Sequence, residues 1–178
     1  MEHSYKPVLS IRVDELPQTP KLLEGIELLN VFIADKHNPF GDEEAVIIRA
    51  YNSLDDLIPL EQKNTNTLDF YKIKWVEKTD YPDWLNLQHQ LGGNEVEFPL
   101  HIKDIDTVFN NYPNLSGIKI GGWPTQIQVS AVYFIVEGDP GYIMQIDETE
   151  IYSFLDAGIG YLLWSEKYGF HTDGWTTY

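Results

Sequence analysis

The residues best suited to chemistry in this chain are carboxylates, side-chain amides and one glycine-proline corner, Ile118-Lys119-Ile120-Gly121-Gly122-Trp123-Pro124-Thr125-Gln126-Ile127-Gln128. Paired glycines ahead of a Trp-Pro step suit a sharp bend where backbone passes close to a bulky ring. Beyond it, Gln126 and Gln128 share one face of an extended segment. The corner reads either as a structural bend or as the lip of a binding groove, and glycine and proline mark bends more often than sites. A small-molecule or metal-dependent enzyme would use Gln126, Gln128, Gln145, Asp147 and Asp156 as the lining of a pocket.

Other catalytic devices are poorly represented. Leu115-Ser116-Gly117 lacks the glycine spacing of a nucleophile elbow, and the absence of cysteine removes thiolate chemistry, zinc-thiolate sites and disulfides together. His3, His37, His89, His101 and His171 include no pair four residues apart, so a zinc site is not expected. Asp147, Glu148 and Glu150 lie close in sequence, as do Asp104 and Asp106, but neither group follows a calcium-loop pattern, and a solvated turn explains both. Gly121-Gly122 lacks the spacing of a phosphate cradle. No cofactor is expected.

The elements that must position these residues read mainly as strands. Alternation over Val8–Val13, a nearly continuous apolar run over Ile26–Ala34 and a β-branched run over Ala45–Tyr51 predict three strands, the first bounded by Pro7 and Pro17. Ser53 begins a brief helical turn that Pro59 stops. Leu68–Lys78 has the period of a half-exposed strand, with Phe70, Lys72 and Lys74 on one face and Tyr71, Ile73 and Trp75 on the other. Helical spacing follows Pro82 through Trp84, Leu87 and Leu91, and again from His101 to about Asn111. Further strands are expected over Ala131–Val136, Tyr142–Ile146, Ile159–Trp164 and near Trp175–Tyr178. The fold class is therefore α+β, mainly β, with mixed or antiparallel sheets and a few short helices. Residues 1–178 read as a single domain; Asn64-Thr65-Asn66-Thr67, the best boundary candidate, reads as a surface loop.

Charge narrows the partner class. The chain carries 28 acidic and 12 basic residues, a net charge of −16. Such a surface repels nucleic acid and attracts a basic protein. The excess is uneven: residues 123–178 hold eight acids and only Lys167 as a counter-charge. Acidic excess as a device for solubility is the plainer reading. Neither a basic leader with an apolar stretch nor a bilayer-length apolar run is present, so a cytoplasmic location without membrane contact is expected.

Several blocks together resemble the YwqG-like family, a bacterial domain of unknown function. Leu9–Pro17 resembles its early strand and acidic corner, Leu28–Ile33 its second strand, and Lys119–Gln128 its Gly-Gly-aromatic-Pro segment. Met144–Asp147, Asp156–Leu162 and the closing Trp175 and Tyr178 resemble its later blocks. Phe154-Leu155 and Ile118 stand where the family carries Trp-Gly and His. The resemblance implies a mainly β domain with no established enzymatic activity. It also implies a place among toxin and antitoxin neighbourhoods, where small acidic relatives act as immunity proteins. The expected function is accordingly an antitoxin-like immunity protein that binds a cognate toxin, plausibly a basic nuclease, and not an enzyme. The expected contacts are Asp139, Asp147, Glu148, Glu150 and Asp156, with Tyr142, Tyr152 and Trp164 as aromatic anchors.

Overall fold

The computed structural model of the protein describes residues 5–34, 46–55, 57–58, 71–83, 110–125, 141–147 and 158–177. Among these, seven strands form two antiparallel sheets; helix is confined to two short 3-10 turns, Val13–Glu15 and Lys21–Leu23, and to residues 110 and 111. The fold is mainly β.

The first sheet has the order β1 (Tyr5–Arg12), β2 (Leu28–Ala34), β3 (Val46–Tyr51). Its inner face follows from alternation: Leu9 lies opposite Val31 and Ile11 opposite Leu29, and all four are buried. The first strand begins at Tyr5, three residues before the expected Val8, and carries Pro7 inside it rather than at its boundary. It can do so because β1 is an edge strand among the described residues, where proline's missing N–H disrupts no described ladder, and because the register shifts between Pro7 and Leu9. The helical turn expected after Ser53 is a tight bend instead. Ser53 Oγ accepts the Asp55 N–H at 3.1 Å, and the Leu57 N–H donates to the Leu54 carbonyl at 3.1 Å.

The second sheet has the order β4 (Lys119–Ile120), β5 (Gly141–Asp147), β6 (Gly158–Ser165), β7 (Gly169–Thr177). One main core joins the sheets: Leu9, Ile11, Leu29 and Val31 pack in the same cluster as Ile143, Met144, Ile146 and Leu162. On the opposite face of β6, Ile159, Tyr161 and Leu163 form a second cluster with Tyr142. Burial on both sides explains why β5 and β6 read as continuous apolar runs rather than alternating ones.

A shift in register between Tyr142 and Met144 has a consequence for the candidate site. Tyr142 and Gln145 are an odd number of residues apart, so a regular strand would send them to opposite faces. The bulge restores them to one face: Tyr142 lies opposite Leu163, Gln145 opposite Tyr161 and Asp147 opposite Ile159.

The expected strand over Leu68–Lys78 is not formed in its described part, residues 71–78, which lie in no helix or strand, although their burial alternates, with Ile73 and Trp75 half-buried between exposed neighbours. It pairs with no strand among the described residues. Pro82 and Asp83 are not helical, and the rest of that predicted helix lies outside the described residues, as does the expected strand Ala131–Val136. Of the predicted helix ending near Asn111, residues 110 and 111 are helical and the earlier part lies outside the described residues.

Candidate functional site

The glycine-proline corner sits over the polar face of the second sheet, held there by side chains that reach backbone. Asp80, brought in by the 71–83 segment, is the hub. Its Oδ1 accepts the Leu115 N–H at 2.7 Å, and its Oδ2 accepts the Trp123 N–H at 2.8 Å and the Lys119 ammonium at 2.9 Å. The Asp80 and Lys119 side chains are only 8% and 12% exposed, so this is a nearly buried ion pair. Burial pulls the Lys119 pKa below the ordinary lysine value, opposed by the hydrogen bond and charge of Asp80.

Two amides complete the arrangement with all of their hydrogens engaged. Asn114 donates to the carbonyls of Tyr81 at 2.9 Å and Trp123 at 3.1 Å, and its Oδ1 accepts the Thr125 hydroxyl at 2.6 Å. Gln145 is fully buried; its Oε1 accepts the Thr125 N–H at 2.8 Å, while Nε2 donates to the Gly117 carbonyl at 3.1 Å and to Thr125 Oγ1 at 3.0 Å. Tyr161 donates its hydroxyl to the Thr125 carbonyl at 2.6 Å, and Asp147 Oδ2 accepts the Gly117 N–H at 3.0 Å. Buried polar groups satisfied this fully fix one geometry, because any displacement leaves a donor or acceptor unpaired in a low dielectric.

The glycines make the approach possible. Gly121 and Gly122 have φ of +69° and +71°, the left-handed region that favours glycine. A Cβ on Gly122 would also sit 2.5 Å from Asp80 Oδ2, so a larger residue displaces the carboxylate from its partners. Gly121 donates its N–H to the Ile143 carbonyl at 2.7 Å, extending the β4–β5 pairing around the bend.

As chemistry, this constellation is a clasp. The Thr125 hydroxyl bonds to Asn114 Oδ1, the Leu115 carbonyl at 3.0 Å and Gln145 Nε2, none of which takes a proton at neutral pH, so the hydroxyl has no general base in its hydrogen bonds. The carboxylates Asp80 and Asp147 are engaged by backbone amides. No group of three or more histidine, aspartate or glutamate side chains among the described residues is placed to hold a metal ion.

Of the residues expected to meet a partner, Asp147, Tyr142 and Trp164 are described, and all three are drawn inward. Asp147 is 6% exposed and accepts from Gly117, which removes it from an open acidic face. Trp164 packs against the main core and Tyr142 against the second cluster. The Tyr142 hydroxyl is buried with no hydrogen-bond partner among the described residues, and burial raises its pKa well above the ordinary tyrosine value. Asp139, Glu148, Glu150, Tyr152 and Asp156 lie outside the described residues. Of the alternative pocket, Gln145 and Asp147 share the polar face beneath the corner, while Gln126, Gln128 and Asp156 lie outside the described residues. Sequence reading passed over Asp80, Asn114 and Thr125, the residues that tie this site together. Their partners lie up to 43 residues away, beyond any local spacing.

A separate cleft of about 620 Å³ opens beside the clasp, between the Pro17–Lys21 turn, the 73–80 segment and Leu115–Gly122. No helix among the described residues is long and apolar enough to cross a membrane. No family model matches the chain, and neither the curated proteins nor the solved structures contain a match.

Proposed function

We propose that the protein is a non-enzymatic cytoplasmic binding protein that occludes a basic protein partner, in the way an immunity protein neutralises a cognate toxin. The observation that carries this reading is the net charge of −16, with eight acids to one base over residues 123–178. A charge of that size steers a basic partner into encounter, while packing of a few central side chains supplies most of the binding energy. Two features of the site are in keeping with it. The Thr125 hydroxyl lacks a base in its hydrogen bonds, and Asp80 and Asp147 serve the backbone rather than a reacting group. The likeness of the sequence blocks to the YwqG-like family belongs to the same proposal. With Asp147, Tyr142 and Trp164 turned inward, the contact surface falls to exposed carboxylates elsewhere; Asp14, Glu15, Glu24 and Glu166 are exposed.

Co-expression with each adjacent reading frame tests the proposal: one frame should be toxic alone and harmless with this protein. With the purified pair, the association rate should fall at least about tenfold between low and physiological salt, where the screening length shrinks to about 8 Å. A rate independent of ionic strength rejects charge steering, and the absence of any rescued toxicity rejects the immunity reading.

A further inference from the structure

The cleft beside the clasp has the opposite electrostatic character to the rest of the chain. Of the 12 basic residues in the sequence, four line it: Lys21, Lys74, Lys78 and Lys119. Only Glu77 and Asp80 oppose them there, and Asp80 is already paired with Lys119. Lys21, Lys74 and Lys78 are exposed and pair with no carboxylate among the described residues. At physiological salt, charges beyond about 8 Å are largely screened, so a ligand in the cleft feels these lysines more than the distant acidic surface.

The walls also offer main chain. Among the described residues β4 lies at the edge of its sheet, bonded on one side to β5 alone. Facing it across the cleft, residues 71–79 lie in no helix or strand, their burial alternates over Lys72–Val76 with the two-residue period of an extended chain, and no backbone hydrogen bond joins them to any described residue. Strand addition uses main-chain donors and acceptors such as these, which have no partner among the described residues, with side-chain pockets at alternate positions supplying selectivity. The floor is apolar, since Ile73, Trp75, Ile118 and Ile120 pack onto the main core. Val76 lies 64% exposed between the two lysines.

The geometry points to this cleft as a docking site for an extended acidic peptide segment of a partner, added as a strand and read by Lys74 and Lys78. Those lysines are four residues apart, and if the alternation of 72–76 continues as an extended chain they stand about 13 Å apart on one face at roughly 3.3 Å per residue. A small anion satisfies one of them; a strand with carboxylates at positions i and i+4 satisfies both. The cleft volume falls within the roughly 300–1,000 Å³ of ligand sites. This inference is independent of the acidic-surface proposal, because partner and surface carry the reverse charges.

The test uses the full chain and three capped hexapeptides of valine and two charged residues, followed by calorimetry in 0.15 M salt, about the physiological value. One peptide carries glutamates at its first and fifth positions, one carries them at its first and fourth, and one carries lysines at its first and fifth. The first should bind at least about tenfold more tightly than the second, which has the same composition but splits its charges between faces, and the lysine peptide should not bind. The double substitution Lys74→Glu, Lys78→Glu, checked for folding by circular dichroism, should lower the affinity for the first peptide at least about tenfold. Methylating alternate backbone nitrogens of that peptide should abolish binding if the main chain pairs. Equal binding of the two glutamate peptides, indifference to N-methylation, or displacement by equimolar inorganic phosphate would each overturn the strand-docking assignment.

Discussion

The inner face of the first sheet and the polar face of the second are both buried, but by opposite means. In the first sheet, Leu9, Ile11, Leu29 and Val31 interlock as apolar side chains on two facing strands. Here stability is spread over area, and neighbours compensate partly for any one loss. On the second sheet, Gln145, Asp147 and Tyr161 meet the glycine corner through hydrogen bonds, with Asp80, Asn114 and Thr125 closing over them. Here stability depends on completeness. A network in which every group is paired tolerates no vacancy, because each orphaned donor or charge keeps its full desolvation penalty.

The comparison is tested most severely at Asp80. Replacing Asp80 with Ala leaves two backbone N–H groups unpaired and a nearly buried ammonium without its carboxylate, holding only the 3.4 Å hydrogen bond to Asn114 Oδ1, and should cost about 3–5 kcal/mol in chemical denaturation. The change Leu29→Ala, at a fully buried apolar position, should cost a similar 2–5 kcal/mol or so. The two losses differ in how they are repaired. Adding Lys119→Met to Asp80→Ala should recover at least about 1 kcal/mol, because it removes the orphaned charge. If the double variant is no better than the single, Lys119 is not what makes the vacancy expensive.

A smaller effect is expected at Gly122. Its left-handed φ and the 2.5 Å approach of a Cβ to Asp80 Oδ2 predict that Gly122→Ala destabilises by about 1–3 kcal/mol. Because part of the loss comes from displacing the carboxylate, it should shrink in an Asp80→Ala background to the cost of the left-handed φ. A loss of the same size in both backgrounds would place the strain in the backbone alone.

The smallest effect is at Tyr142, and its sign is opposite. Its hydroxyl is buried without a partner among the described residues, so Tyr142→Phe should be neutral or stabilising by up to about 1 kcal/mol near pH 7. The gap should then widen in alkali. The folded state holds this phenol protonated above its ordinary pKa of 10.0, while the unfolded chain ionises there. Above that pH the unfolded state therefore binds fewer protons than the folded one, and wild-type stability falls by up to about 1.4 kcal/mol per unit. Lys119 acts the other way, since its lowered pKa relieves a charge-burial cost as pH rises toward 10.5, but it is common to both proteins and cancels in the comparison. Denaturant midpoints of the two proteins between pH 8 and roughly 11 should diverge in favour of the phenylalanine variant; parallel curves would mean the hydroxyl is solvated.

Much of the strand framework was legible because alternation and β-branched runs are local properties of the chain. The strands through Leu9 and Ile11, through Leu29 and Val31, and through Tyr142–Ile146 and Ile159–Trp164 all fall where those patterns place them. The glycine corner was legible as a bend for the same reason. The clasp was not. Asp80 reads in sequence as one exposed acid among 28, and nothing near it announces that Leu115 and Trp123 will supply its donors. The inward turn of Asp147 was equally hidden, because which face it takes depends on the bulge between Tyr142 and Met144.

By itself, then, the sequence determined the strands around Leu9, Leu29, Ile48, Ile143 and Ile159, where the chain bends, and how strongly negative the molecule is, since each depends on residue type and near neighbours. Only tertiary structure decided which carboxylates are structural and that four of the scarce lysines gather around one cleft. Those outcomes rest on contacts between segments far apart in the chain, where one shift in register changes which side chains meet.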